Sequence, residues 1–118
     1  MCGICGFTNA NADDIDILKA MCDVMKHRGP DGEGQFIQNG IALGHRRLSL
    51  IDLENGAQPM LRSTNECVGT VCSSAQAQLH TYPLALVFNG EIYNYQDLKE
   101  ELETQGWQFS SNSDTEVI

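Results

Sequence analysis

Apolar residues recur at Ile15, Leu18, Met21, Cys22 and Met25, the spacing of one amphipathic helix. Asp13 can N-cap it, with Asp16 at the N3 position. His27-Arg28-Gly29-Pro30 closes it, placing basic residues in the last turn before two stop signals. Ahead of the helix, residues 3–8 read as a short strand, followed by a polar turn from Asn9 to Ala12. Behind it, residues 34–38 and 41–50 flank Asn39-Gly40, the dipeptide suited to a two-residue hairpin turn.

Alternation along 41–50 sends Ile41, Leu43, His45, Arg47 and Ser49 to one face, with Ala42, Gly44, Arg46, Leu48 and Leu50 on the other. Neither face stays apolar toward the end, as expected of a strand that leaves the core to line a polar site. Residues 62–83 are polar and lack periodicity, which predicts a surface loop insertion. Leu84 to Phe88 then reads as a buried strand running into Asn89-Gly90. A second helix is expected over about 95–105, with Asn94 as N-cap, Tyr95, Leu98 and Leu102 inward, and Gly106 as stop. Trp107-Gln108-Phe109 reads as a short strand. Ser113-Asp114-Thr115-Glu116 is a capping-box pattern announcing a third helix, yet the sequence stops at Ile118. One turn cannot stand alone, so the expected domain is incomplete at its C-terminus.

The chain has 118 residues, enough for one domain and a modest core. Its net charge of −9, from 16 acidic and 7 basic residues, argues against nucleic acid or an anionic membrane as partner. The longest aliphatic-aromatic run, Leu84 to Phe88, is far too short to span a bilayer. Five cysteines without an export signal suggest a reducing, cytoplasmic setting.

Cys2 directly follows Met1. If Met1 is clipped, one residue carries both a thiol and an α-amino group, whose pKa of about 7.7–8 lets it act as a base near neutral pH. Taken alone, Cys2 is more simply read as a plain cysteine at a strand start. Cys2-Gly3-Ile4-Cys5 together with the Cys67 and Cys72 pair also allows a Cys₄ zinc-binding module. A thioredoxin-like redox role fits less well, because this C-x-x-C precedes a polar turn and opens no helix.

Five segments together resemble a class II glutamine amidotransferase domain of the asparagine synthetase type. They are Met1-Cys2-Gly3-Ile4, the run from His27 to Gly32, the run from Leu43 to Ser49, the run from Asn89 to Asn94, and Ser113 to Glu116. The resemblance implies an α+β fold, with N-terminal-nucleophile hydrolase-like stacked antiparallel sheets flanked by helices. It makes residues 1–118 a partial glutaminase domain that hydrolyses L-glutamine to glutamate and ammonia. Cys2 would be the nucleophile, with the Asn89 amide and Gly90 N–H as the oxyanion hole. Arg47 would hold the substrate carboxylate, and Glu91 and Asp114 its ammonium.

No cofactor or metal is implied for this half. ATP and Mg are expected only in an absent synthetase domain or subunit, the implied partner. Alternatives stay open: Asn89-Gly90 as a type I′ turn, Arg46-Arg47 as a solvated basic edge, and an inactive fragment. His27 and His45 are expected to be structural hydrogen-bonders, and Asp31 to fix a turn. The stretch between Met60 and Leu84 is longer than the family pattern by roughly a dozen residues, an insertion of a kind that surfaces tolerate.

Overall fold

The computed structural model describes residues 2–63 and 83–118. The expected loop therefore lies mostly outside the described residues, as do Cys67 and Cys72. Three strands, β1 (Gly3–Thr8), β2 (Gly32–Gln38) and β3 (Ile41–Arg47), form an antiparallel sheet in the order β1-β3-β2. Helix α1 (Ile15–Val24) packs on one face of it. Strands β4 (Met60–Ser63) and β5 (Pro83–Leu86) pair as a second antiparallel sheet, and helix α2 (Tyr95–Thr104) follows. The architecture is α+β with antiparallel sheets.

The hairpin forms as its turn chemistry demands: Asn39 and Gly40 both take left-handed φ, at 52° and 78°. The register β1:β3:β2 then brings Cys5, Gly44 and Gln35 level, and Phe7, Ala42 and Ile37 level. Leu18 and Cys22 of α1 descend onto this face, forming a small core with Ala10 and Ala42. Gly44 is the floor under the helix. A Cβ there would lie 2.5 Å from the Cys22 sulfur and 2.7 Å from that of Cys5. Those two sulfurs are themselves 3.6 Å apart.

Several local expectations need correction. The start of the first helical segment is capped by Asn11, not Asp13. Asn11 and Asp14 form a reciprocal capping box around a short 3₁₀ turn, and α1 proper begins at Ile15. The helix also ends at Val24, before the basic residues. Leu84–Phe88 is not a buried strand: β5 stops at Leu86 in a two-stranded ribbon, and Leu84 is 63% exposed. Leu61 on the paired strand is exposed as well among the described residues. Arg62, Ser63 and Pro83, expected in the loop, belong to this ribbon. Trp107-Gln108-Phe109 forms no strand, since no neighbouring backbone pairs with it among the described residues.

Strand alternation separates the two adjacent arginines. Arg46 turns toward α1, buried, and is no solvated edge. Its Nε donates to Cys22 O at 3.1 Å, and its guanidinium pairs with Asp23 and, at 2.6 Å, with Glu33. Arg47 therefore points to the opposite face, where the sheet is covered differently. Gly34 lies against Gln58 and Pro59, whose backbone would collide with any side chain at position 34. His45, next to Gly34 in the register, is fully buried there.

Candidate active site

The face of the first sheet opposite α1 opens at its end into a cleft of about 240 Å³. Its wall includes Cys2, Arg47, Asn89, Gly90, Glu91 and Asp114, every residue the sequence nominated. These come from four regions of the chain: the start of β1, the end of β3, and the two segments on either side of α2. The volume is below the roughly 300–1,000 Å³ usual for drug-sized ligands and suits a small molecule.

Cys2 is half-buried and enters β1 one residue later. Because Gly3 pairs with Arg46, Cys2 falls beside the end of β3. The Leu48 N–H donates to its sulfur at 3.3 Å, and Leu48 O lies 3.7 Å from that sulfur. Arg28 Nε donates to the Cys2 carbonyl at 3.1 Å. The sequence marked Arg28 only as a helix-end residue; no periodicity signals that it anchors the nucleophile's backbone. Cys5, three residues on, faces the opposite way into the core against Cys22. The C-x-x-C pair is thus split between two faces, as odd spacing along a strand requires. Among the described residues, no group of three or more His, Cys, Asp or Glu side chains is arranged to hold a metal ion.

Arg47 is held by backbone oxygens of the following loop: Ile51 O at 3.0 Å, Leu53 O at 3.1 Å, and Asp52 O. Carbonyls orient a guanidinium without neutralising it, so its full charge remains for an anion. Gly56 makes room, since a Cβ there would lie 2.5 Å from Nη2 of Arg47. Asp52 itself adopts φ of 44°, and its carboxylate accepts N–H bonds from Asn112 and Asn55 that hold its pKa below the usual value. Asp31, expected to fix a turn, instead bridges to the segment after β3: its carboxylate accepts the Ser49 N–H at 2.8 Å.

Asn89 and Gly90 follow β5 and lead through Glu91 to α2, so the hairpin-turn alternative fails: this Asn-Gly joins a strand to a helix. Gly90 packs against the Phe88 ring, which a Cβ would approach to 2.6 Å. One group missed by sequence reasoning pins Phe88. Gln58 Oε1 accepts the Phe88 N–H at 2.6 Å, while its Nε2 donates to Thr115 Oγ1 at 3.1 Å. His45 is fully buried with its Nε2 unpartnered among the described residues, not the hydrogen-bonder expected; burial, the largest influence, holds the imidazole below its usual 6.5 against a smaller upward pull from the Phe88 backbone. It is therefore neutral at pH 7. His27 is hydrogen-bonded as expected, with Nδ1 3.1 Å from Val24 O.

Asp114 is buried at the head of a 3₁₀ turn, Asp114–Val117. The Ser113 side chain caps that turn by accepting the Thr115 N–H. Asp114 Oδ2 accepts the Ile92 N–H at 2.9 Å, fastening the Glu91 segment to the turn. Glu116 does not complete the expected capping box. It collects Ser110 and Ser111 instead, taking N–H and O–H donors from each, and pairs with Arg62. Burial alone would raise its pKa, but the Ser111 and Ser110 donors outweigh it and hold the value at about 2.

The unfolded chain binds that proton nearer 4.5, so Glu116 contributes stability above this pH. The contribution falls away as pH drops from 4.5 through about 2. Glu116→Gln is expected to cost about 1.5–3 kcal/mol at pH 7, the scale of hydrogen bonds to a charged group. Denaturant melts of both proteins should converge by about pH 2.

One cation and two carboxylates therefore line a cleft that also holds a cysteine and an Asn-Gly corner. The chain belongs to the glutamine amidotransferase domain family, whose family model matches residues 1–118. Along its whole length it is 41% identical to the glutamine-hydrolyzing asparagine synthetase 1 of Bacillus subtilis, spanning 17% of that protein. It is also 41% identical to a putative glutamine-hydrolyzing asparagine synthetase 2 of Methanocaldococcus jannaschii, spanning 23% of it. Identity to the glutamine-hydrolyzing asparagine synthetase B of Escherichia coli is 36%, over 19% of that protein. The chain thus spans less than a quarter of these relatives.

Proposed function

We propose that this domain hydrolyses L-glutamine to glutamate and ammonia through a γ-glutamyl thioester on Cys2. The observation that carries the reading is the convergence of Cys2, Arg47, Asn89, Gly90, Glu91 and Asp114 on one cleft. Once Met1 is removed, the Cys2 α-amino group takes the thiol proton and the sulfur attacks the side-chain amide carbon. The Asn89 amide and the Gly90 N–H receive the oxyanion. Ammonia leaves with the proton returned by the amine, and water then cleaves the thioester. Arg47 holds the substrate carboxylate, and Glu91 and Asp114 its ammonium.

An N-terminal-nucleophile hydrolase-like arrangement of stacked sheets is the finer fold this reading implies. In a longer protein the ammonia would pass to an activated carboxylate, aspartate's by analogy with the relatives. ATP and Mg would act there, in a synthetase domain or subunit, within the cytoplasm. The residues of this cleft need neither. A second reading, an inactive fragment that needs a partner, draws support from the sparse apolar core and from exposed Leu61 and Leu84. Glutamate release by the purified chain separates the two.

Arg47→Lys tests the carboxylate clamp. A lysine keeps the charge but loses the planar fork and its carbonyl supports. KM for glutamine should rise about tenfold or more, with kcat much less affected, the cost of losing a charge-assisted hydrogen bond. Steady-state kinetics check it; an unchanged KM would remove Arg47 from the clamp.

A further inference from the structure

The two poles of the cleft come from separate segments of the chain, and one residue touches both. Asp52 sits in a left-handed conformation that no glycine provides, with φ of 44°. Its carbonyl accepts from Arg47 Nη2 and from the Gly56 N–H, the latter at 3.1 Å. Its carboxylate reaches sixty residues along the chain, where Oδ2 accepts the Asn112 N–H at 2.7 Å. Oδ1 closes the local turn on Asn55, at 3.0 Å to the backbone N–H and 3.3 Å to the side-chain amide. Asn112 lies two residues before Asp114. The same loop is held from α2 by Lys99, whose Nζ donates to Ser111 O and Asn112 Oδ1.

We infer that Asp52 is a positioning residue that sets the separation between the Arg47 pole and the Asp114 pole of the cleft. It thereby determines selectivity for ligands that carry both an α-carboxylate and an α-ammonium. This rests on the glutamine reading of the site. Asp52 does not line the cleft itself; it acts through Arg47 on one side and the 112–114 segment on the other. The linkage is rigid because both ends use backbone groups, which have little freedom to follow a displaced partner. Cys2 and its Leu48 contact take no part in it.

The test compares two electrophiles that reach the same sulfur. Iodoacetamide carries neither charged group, whereas a diazoketone analogue of glutamine carries both. Cys2 labelling by each is followed by peptide mass spectrometry in the full chain, in Asp52→Ala and in Asp52→Asn. Asp52→Asn retains one acceptor oxygen but faces one N–H with an amide donor, so it should fall between the other two. Diazoketone labelling and glutamine KM should both worsen about tenfold in Asp52→Ala, with iodoacetamide labelling and kcat nearly unchanged.

Equal losses with both reagents in both variants would show a merely structural aspartate and overturn the inference. So would wild-type KM and labelling in both. A wild-type chain that reacts with iodoacetamide but not with the diazoketone would overturn the glutamine reading itself, and this one with it.

Discussion

Cys2→Ala is expected to abolish glutamate release while leaving glutamine binding in place. Loss of a nucleophile in acyl transfer costs on the order of 10⁴–10⁶ in kcat, far more than any other substitution in this cleft. Alanine is small enough for Met1 still to be clipped, so the variant keeps its α-amino group and loses only sulfur. The binding poles, Arg47 with Glu91 and Asp114, do not depend on the thiol for their positions. Calorimetric titration with glutamine should therefore give a dissociation constant close to the wild-type KM. Intact mass completes the measurement: a wild-type chain that retains Met1 has no α-amino base on Cys2, and its turnover should be negligible. Release of glutamate by Cys2→Ala at the wild-type rate would end the thioester account.

Asn89→Ala is expected to lower kcat by about 10²–10³, the usual loss when one oxyanion donor is removed. The donor matters chiefly when the carbonyl oxygen becomes a tetrahedral oxyanion, so KM should move little and kcat/KM should fall in parallel with kcat. The prediction has structural footing because the corner is pinned before substrate arrives. Gln58 holds Phe88, the residue just before Asn89, by accepting its N–H. Gly90 lies on the Phe88 ring with no room for a Cβ, so its N–H is presented by a backbone that cannot drift. A rise in KM at constant kcat would instead assign Asn89 to ground-state binding.

How much could be read in advance differs by element. Helix α1 and the β2–β3 hairpin were legible because their signals are local: a 3.6-residue period and an Asn-Gly pair in left-handed φ. The buried strand expected at Leu84–Phe88 misled, since a short apolar run reports hydrophobicity and not what covers it. Trp107-Gln108-Phe109 misled likewise: a strand exists only if another backbone is alongside. Ser113 to Glu116 did start a helical turn, but Glu116 found stronger company in Ser110 and Ser111 than in the turn's own N–H groups. All six residues nominated from their motifs line one cleft; the groups that brace them were not nominated.

The order of residues alone determined the chemical inventory: a cysteine directly behind Met1, one arginine at a strand end, an Asn-Gly step, and two acidic residues. It also determined that Arg46 and Arg47 must part, because neighbours on a strand face opposite ways. Only the tertiary structure decided which arginine opens on the cleft. Only there do Arg28, Gln58 and Asp52 acquire roles, because each acts on backbone groups far away in the chain. Hydrogen bonds to a distant main chain leave no periodic trace, since any residue offers the same N–H and C=O. Such contacts become visible when the chain has folded and brought the two ends together.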